Sequence, residues 1–153
     1  MRRNGGFTLI ELIVVIIILG LLAATAAPKF LNLQKEARVS ALKGLKGAME
    51  SAASLVYSKA VITGVETSSS AAVSVGTSSV TTNKGYPTAA ATGIEEALDL
   101  STNDWTPSSA TGVYMFYPKT ESGESVAAGC HVKYTWPSGT DNRPKIEVID
   151  TSC

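Results

Sequence analysis

One carboxylate, Glu11, sits inside the apolar run GGFTLIELIVVIIILG, Gly5–Gly20. An ionised acid in an apolar segment of membrane length costs at least ~2.5 kcal/mol unless something meets its charge. A cut between Gly6 and Phe7 would create that something. The new α-amino group has a pKa near ~8, so it is cationic at neutral pH. It lies four residues from Glu11, a spacing that places groups on one helix face. The two could meet within one helix or between staggered copies, and in a low dielectric they attract strongly. A contact between copies would fix the axial offset of one copy against the next.

The other reactive side chains are few. Cys130 and Cys153 are the only cysteines, and His131 is the only histidine. A metal site built from His131 and Cys130 lacks further ligands at usable spacing, which leaves His131 as an ordinary strand residue. A single histidine also leaves little for acid–base catalysis. The chain has no HExxH, no GxSxG and no phosphate-cradling glycine loop. No catalytic residue, cofactor or metal is therefore expected. With 13 basic and 13 acidic residues, the chain lacks the basic excess that marks nucleic-acid binders, and none is expected as a partner.

A length of 153 residues suggests one domain, but hydropathy is uneven along it. From Phe7 to Ala27, only Thr8, Glu11 and Thr25 are polar. As a helix this stretch spans about 31 Å, close to the ~30 Å of a bilayer's hydrocarbon core. Arg2 and Arg3 precede it, and the next basic residue is Lys29. The positive-inside tendency then keeps the N-terminus in the cytoplasm and faces the remainder outward. Small residues at Ala24-Thr25-Ala26 would also suit a signal peptidase. A secretory signal or a plain anchor fits this topology, but either leaves Glu11 unexplained.

The run GGFTLIELIVVIIILGLLAATAAPKF resembles the N-terminus of type IV pilins of class a and their relatives. The short basic leader MRRNGG ends in glycine, and Phe7 and then Glu11 follow it. The resemblance implies cleavage after Gly6 by a prepilin peptidase, N-methylation of Phe7, and a role for Glu11 in assembly. Loss of Arg2 and Arg3 with the leader would leave a net charge of −2. It also implies weak helical structure in the region bracketed by Gly20 and Pro28, where glycine lowers propensity and proline removes a donor. PKFLNLQKEARVSALKG and SAASLVYSKA are similar to the mannose-sensitive haemagglutinin pilins in particular.

The elements that would position these residues form an α+β chain. A leader at residues 1–6 precedes a transmembrane or filament-core helix at 7–27 and an amphipathic half at 28–63. Leu42, Leu45, Met49, Ala52, Val56 and Ala60 recur at steps of three and four, with Lys43, Lys46, Glu50 and Ser54 opposite. Gly44 and Gly47 read as close-packing positions. The helix is expected from Phe7 to about Ala60, near 80 Å at the standard rise.

A globular head occupies 64–153. Gly64–Lys84 reads as a loop with at most one short strand near Val73–Val75. Thr92-Gly93-Ile94-Glu95 has the spacing of a capping box before a short helix. Val113–Tyr117, Val132–Trp136 and Ile146–Val148 read as an antiparallel meander covering the helix, with turn chemistry at Glu121–Ser125 and Pro137–Asn142. In an exported chain, two cysteines favour a Cys130–Cys153 disulfide over free thiols. Type IV pilins commonly carry such a bridged C-terminal loop.

The resemblance implies a non-enzymatic structural subunit. It would be held in the inner membrane and then polymerised into an extracellular pilus for surface attachment. Its partners would be other copies, the prepilin peptidase and the inner-membrane assembly machinery. A pseudopilin of a type II secretion system and a periplasmic protein released by signal peptidase are the alternatives.

Overall fold

The computed structural model describes residues 6–120, 123, 128–136 and 142–153, the side chain of Leu31 excepted. The chain divides into two compact units, Met1–Ala37 and Arg38–Cys153. A single helix, α1 (Leu9–Thr63), begins in the first unit and ends in the second. The expected α+β class, a long N-terminal helix followed by antiparallel sheet, is observed.

The second unit is built on the amphipathic stripe of α1. Leu42, Leu45, Met49, Val56 and Ala60 are buried as expected, while Ala53, not Ala52, is the buried alanine between them. The head carries two sheets where a single meander was expected. The first is a three-stranded sheet of β1 (Ala71–Val75), β2 (Ser78–Asn83) and β3 (Tyr86–Pro87). The second is a four-stranded meander of β4 (Trp105–Ala110), β5 (Val113–Pro118), β6 (His131–Thr135) and β7 (Lys145–Ile149), all antiparallel in that order.

Each sheet claims its own stretch of the helix. Leu42, Leu45 and Met49 join Tyr114, Phe116, Val132 and Tyr134 of the meander in one core, closed at its side by Ile94 and Cys130. Val56 and Ala60 meet Val73 and Val80 of the smaller sheet in another. The step from Met49 to Val56 along α1 is therefore the step from one sheet to the other.

The segment Gly64–Lys84, read as a loop, is largely a hairpin. Val73 pairs with Val80 across it, and both are buried against α1. Its two-residue loop places Gly76 at φ 61°, the left-handed backbone that such loops require. Two buried valines are enough apolar surface to dock a short hairpin on a helix, even where Ser and Thr dominate the composition.

The capping box expected at Thr92–Glu95 is not formed. Ala91–Glu95 makes a single π-helical turn with no side-chain cap. Thr92 Oγ1 pairs with Thr81 Oγ1 at 3.0 Å instead, and Glu95 accepts a hydrogen bond from the Tyr114 hydroxyl. Gly93 is wedged under the preceding chain, where a Cβ would lie 2.2 Å from the Thr88 carbonyl oxygen.

Gly44 and Gly47 are exposed, and a Cβ at either would meet nothing within 4 Å. The close packing expected of them is absent from the single chain. The turns read at Glu121–Ser125 and Pro137–Asn142 lie almost entirely outside the described residues, as do residues 1–5 of the leader.

Candidate functional site

Every described side chain from Phe7 to Ala37 is exposed, with Ala26 alone half-covered. Phe7 is 95% exposed, and Leu9 through Leu22 present an apolar surface all round the helix. By length and composition this part of α1 can cross a membrane. In water, so much uncovered apolar area would be strongly unfavourable at roughly 25 cal/mol per Å². The surface therefore needs lipid or other apolar chains around it.

The helix begins with a reciprocal cap. Glu11 Oε2 accepts the Thr8 backbone N–H at 2.7 Å and the Thr8 hydroxyl at 2.8 Å. The Glu11 N–H in turn reaches Thr8 Oγ1 at 3.4 Å. This is a capping box, which satisfies donors that the first turn would leave open. T-x-x-E ahead of an apolar run is the signature of this box, a role for Thr8 beyond its polarity in that run. Within one chain, Glu11 finds polar partners but no cation among the described residues. Its charge remains available to a group from outside the described chain.

Gly6 and Phe7 precede the helix in non-helical backbone, exposed and sterically open. That is the state a protease needs of a scissile bond. Gly20 and Pro28, read as weak points, lie within α1, which continues through both. Proline leaves the Ala24 carbonyl without its helical donor, and one missing bond does not end the ladder. Thr25 Oγ1 adds a bond to the Leu22 carbonyl at 2.9 Å in the same turn.

In the second unit, Cys130 and Cys153 form the expected disulfide across 23 positions. Arg38 Nη1 donates to the Cys153 carbonyl at 3.2 Å, so the bridged segment is tied to the base of the head helix. The bridge needs Gly129 beside it. This glycine has φ 113°, and its carbonyl accepts the Ser152 N–H at 3.1 Å. A Cβ there would press on Ser152 and Thr151.

His131, next to Cys130, is a half-buried strand residue whose ring packs on Tyr117 with centroids 4.8 Å apart. Its Nδ1 is buried without a partner among the described residues. Burial first, and the Lys133 charge second, push its pKa below the ordinary histidine value.

The comparisons with known proteins fall on the N-terminal part of the chain. The prokaryotic N-terminal methylation motif matches residues 1–27. The type II secretion system core protein G of Pseudomonas aeruginosa is 46% identical over 43 residues, 28% of this chain and 30% of that protein. The type IV major pilin protein PilA of Myxococcus xanthus is 51% identical over 41 residues, 27% of this chain and 19% of the relative. The type IV narrow pilus major component PilA5 of Thermus thermophilus is 44% identical over 50 residues, 33% of this chain and 43% of the relative. The matched segments thus span less than half of each relative. No solved structure matches the chain significantly. Through its N-terminal segment, the chain carries the N-methylation motif of type IV pilins and is related both to type IV major pilins and to a type II secretion core protein.

Proposed function

We propose that the chain is a structural subunit, not an enzyme, of an extracellular type IV pilus. It would be cleaved between Gly6 and Phe7 by a prepilin peptidase and methylated on Phe7. It would then be stored in the inner membrane through residues 7–27 and polymerised through the same helix surface. The observation that carries this reading is the fully uncovered apolar start of α1 bearing a single carboxylate without a cationic partner among the described residues. Lipid and a core of packed helices are both dry, so one surface serves storage and assembly alike. In the polymer, Glu11 would meet the methylated amine of a neighbouring copy, and the heads would face outward for attachment to surfaces. The bridged segment Cys130–Cys153 supports the pilin over the secretion-system relative, since such a bridge accompanies pilin heads.

The test is mass spectrometry of the mature N-terminus together with electron microscopy of sheared cells. A methylated Phe7 in filaments supports the proposal, whereas a start near Ala27 sinks it. The second reading, a pseudopilin, draws on the core protein G match. It predicts the same N-terminus but no surface filaments at native expression.

A further inference from the structure

The β2–β3 turn gathers several local costs in one place. Among the described residues, Lys84 is the one non-glycine with left-handed backbone, at φ 48°, where an Asn-Gly pair would close the same hairpin with less strain. Gly85 follows at φ 80°, and a Cβ there would lie 2.8 Å from the Tyr57 ring. Nearby, Glu66 Oε2 is buried with no donor among the described residues. A carboxylate oxygen kept dry and unpaired is unfavourable.

These features border a single cleft of about 520 Å³, lined by Tyr57, Glu66, Lys84, Tyr86, Asn142 and Arg143. Tyr86 and Arg143 also line a second cleft of about 340 Å³ that includes Glu50 and Lys145. The platform is braced. Tyr86 stacks on Tyr57 with centroids 4.6 Å apart and planes 20° from parallel. The buried Tyr134 hydroxyl holds the Pro87 carbonyl at 2.7 Å. The Lys84 N–H donates to the Ser68 carbonyl at 2.7 Å, and its Nζ donates to Asn142 Oδ1 at 2.9 Å.

We infer that this cleft binds an acidic saccharide, with a ring laid on Tyr86, its carboxylate at Lys84 and a hydroxyl donated to Glu66. The chemistry selects the class. An aromatic pair offers a flat apolar platform for the C–H face of a sugar ring. The Lys84 ammonium has three protons and gives one to Asn142, so two remain for an anion. Glu66 must turn its unpaired oxygen toward the cleft to gain a donor, which a sugar hydroxyl supplies and a phosphate diester does not. A DNA backbone lacks that hydroxyl along its length, which disfavours single-stranded DNA in spite of the aromatic and basic groups.

The test titrates the full-length chain in detergent micelles with tetragalacturonic acid, its methyl ester and an oligothymidylate, followed by calorimetry. The acid should bind and the ester should bind roughly tenfold more weakly. Lys84→Gly should keep or raise the thermal midpoint, since glycine takes this backbone without strain, yet lose roughly tenfold in affinity. Lys84→Asn, which retains a turn-forming residue, should lose affinity likewise, and Tyr86→Leu should weaken binding of both acid and ester. The inference is overturned if the acid does not bind, if the ester binds as tightly, if the oligothymidylate binds more tightly, or if the Lys84 variants bind as the parent chain does.

Discussion

Thr8 and Glu11 hold each other at the first turn of α1, the Glu11 carboxylate accepting both the backbone N–H and the hydroxyl of Thr8 within 2.8 Å. The acid is thus a helix cap before it is anything else, and a cap alone would explain its place in an apolar run. Substitutions separate the cap from the charge. Glutamine is also accepted at this position of a capping box, so Glu11→Gln keeps the helix start but removes the negative charge. We predict that Glu11→Gln and Glu11→Ala both insert into the membrane and both fail to form filaments. Thr8→Ala, which costs about 1 kcal/mol of local helix stability, should still polymerise. Wild-type numbers of filaments in the Glu11→Gln strain would assign the residue to capping only.

The Cys130–Cys153 bridge closes a segment of 23 positions. The chain-entropy relation gives about 3 kcal/mol for a loop of this size. We predict that the Cys130→Ser, Cys153→Ser double variant lowers the unfolding free energy of the head by that amount. Denaturant unfolding with and without reductant checks it, because reductant should bring the parent chain to the level of the variant.

Stability should fall as the medium turns mildly acidic. His131 has a depressed pKa in the folded chain, so the unfolded chain binds the extra proton first. The stability its neutral form contributes is fully present above the unfolded value of about 6.5 and is lost as pH falls from there through the lower folded value. His131→Phe should flatten the dependence between about pH 7.5 and 5.5. A second decline remains at lower pH, because Glu147 is held below the usual carboxylate range, chiefly by its hydrogen bond from Lys145. That contribution is present above the unfolded value of about 4.3 and is lost as pH falls from there through the lower folded value. Thermal midpoints across the pH series decide the matter, and an unchanged profile in His131→Phe would contradict it.

Gly44 in α1 and Gly93 in the head should answer oppositely to a methyl group. Gly44 is exposed and open in mid-helix, so Gly44→Ala should stabilise the isolated subunit by up to ~1 kcal/mol. Gly93→Ala drives a Cβ to 2.2 Å from the Thr88 carbonyl oxygen and should destabilise the head by at least ~2 kcal/mol. Circular-dichroism melting of both variants is the measurement. A loss of filaments in a stabilised Gly44→Ala subunit would show that this face is covered in the polymer.

Much of this architecture was legible in the residues, because strong periodicity carries it. The stripe from Leu42 to Ala60 and the alternations around Val132 and Ile146 recur at spacings that admit one geometry, and Val113–Tyr117 stood out as a short run apolar on both faces. The hairpin at Ala71–Asn83 was hidden because two valines, Val73 and Val80, do all its burying among serines and threonines. The Thr92–Glu95 box misled because a local pattern cannot report that Gly93 lies under Thr88. At the candidate site, the apolar run drew attention to the charge on Glu11 and away from Thr8, its nearest partner. The cleft around Tyr86 joins residues more than eighty positions apart, from Tyr57 to Arg143, and only the fold brings them together.

Strand β4 was missed for another reason, and it bears on crowding. It lies at the rim of the meander, paired on one side only with β5, and it carries Pro107 in its middle. An imino nitrogen has nothing to donate, which is why prolines are tolerated on outermost strands and poison them as templates. Subunits concentrated side by side would otherwise risk zipping sheet to sheet into amyloid-like ribbons. In the proposed polymer that rim would offer neighbours no backbone template, and cohesion there would fall to the greasy spine.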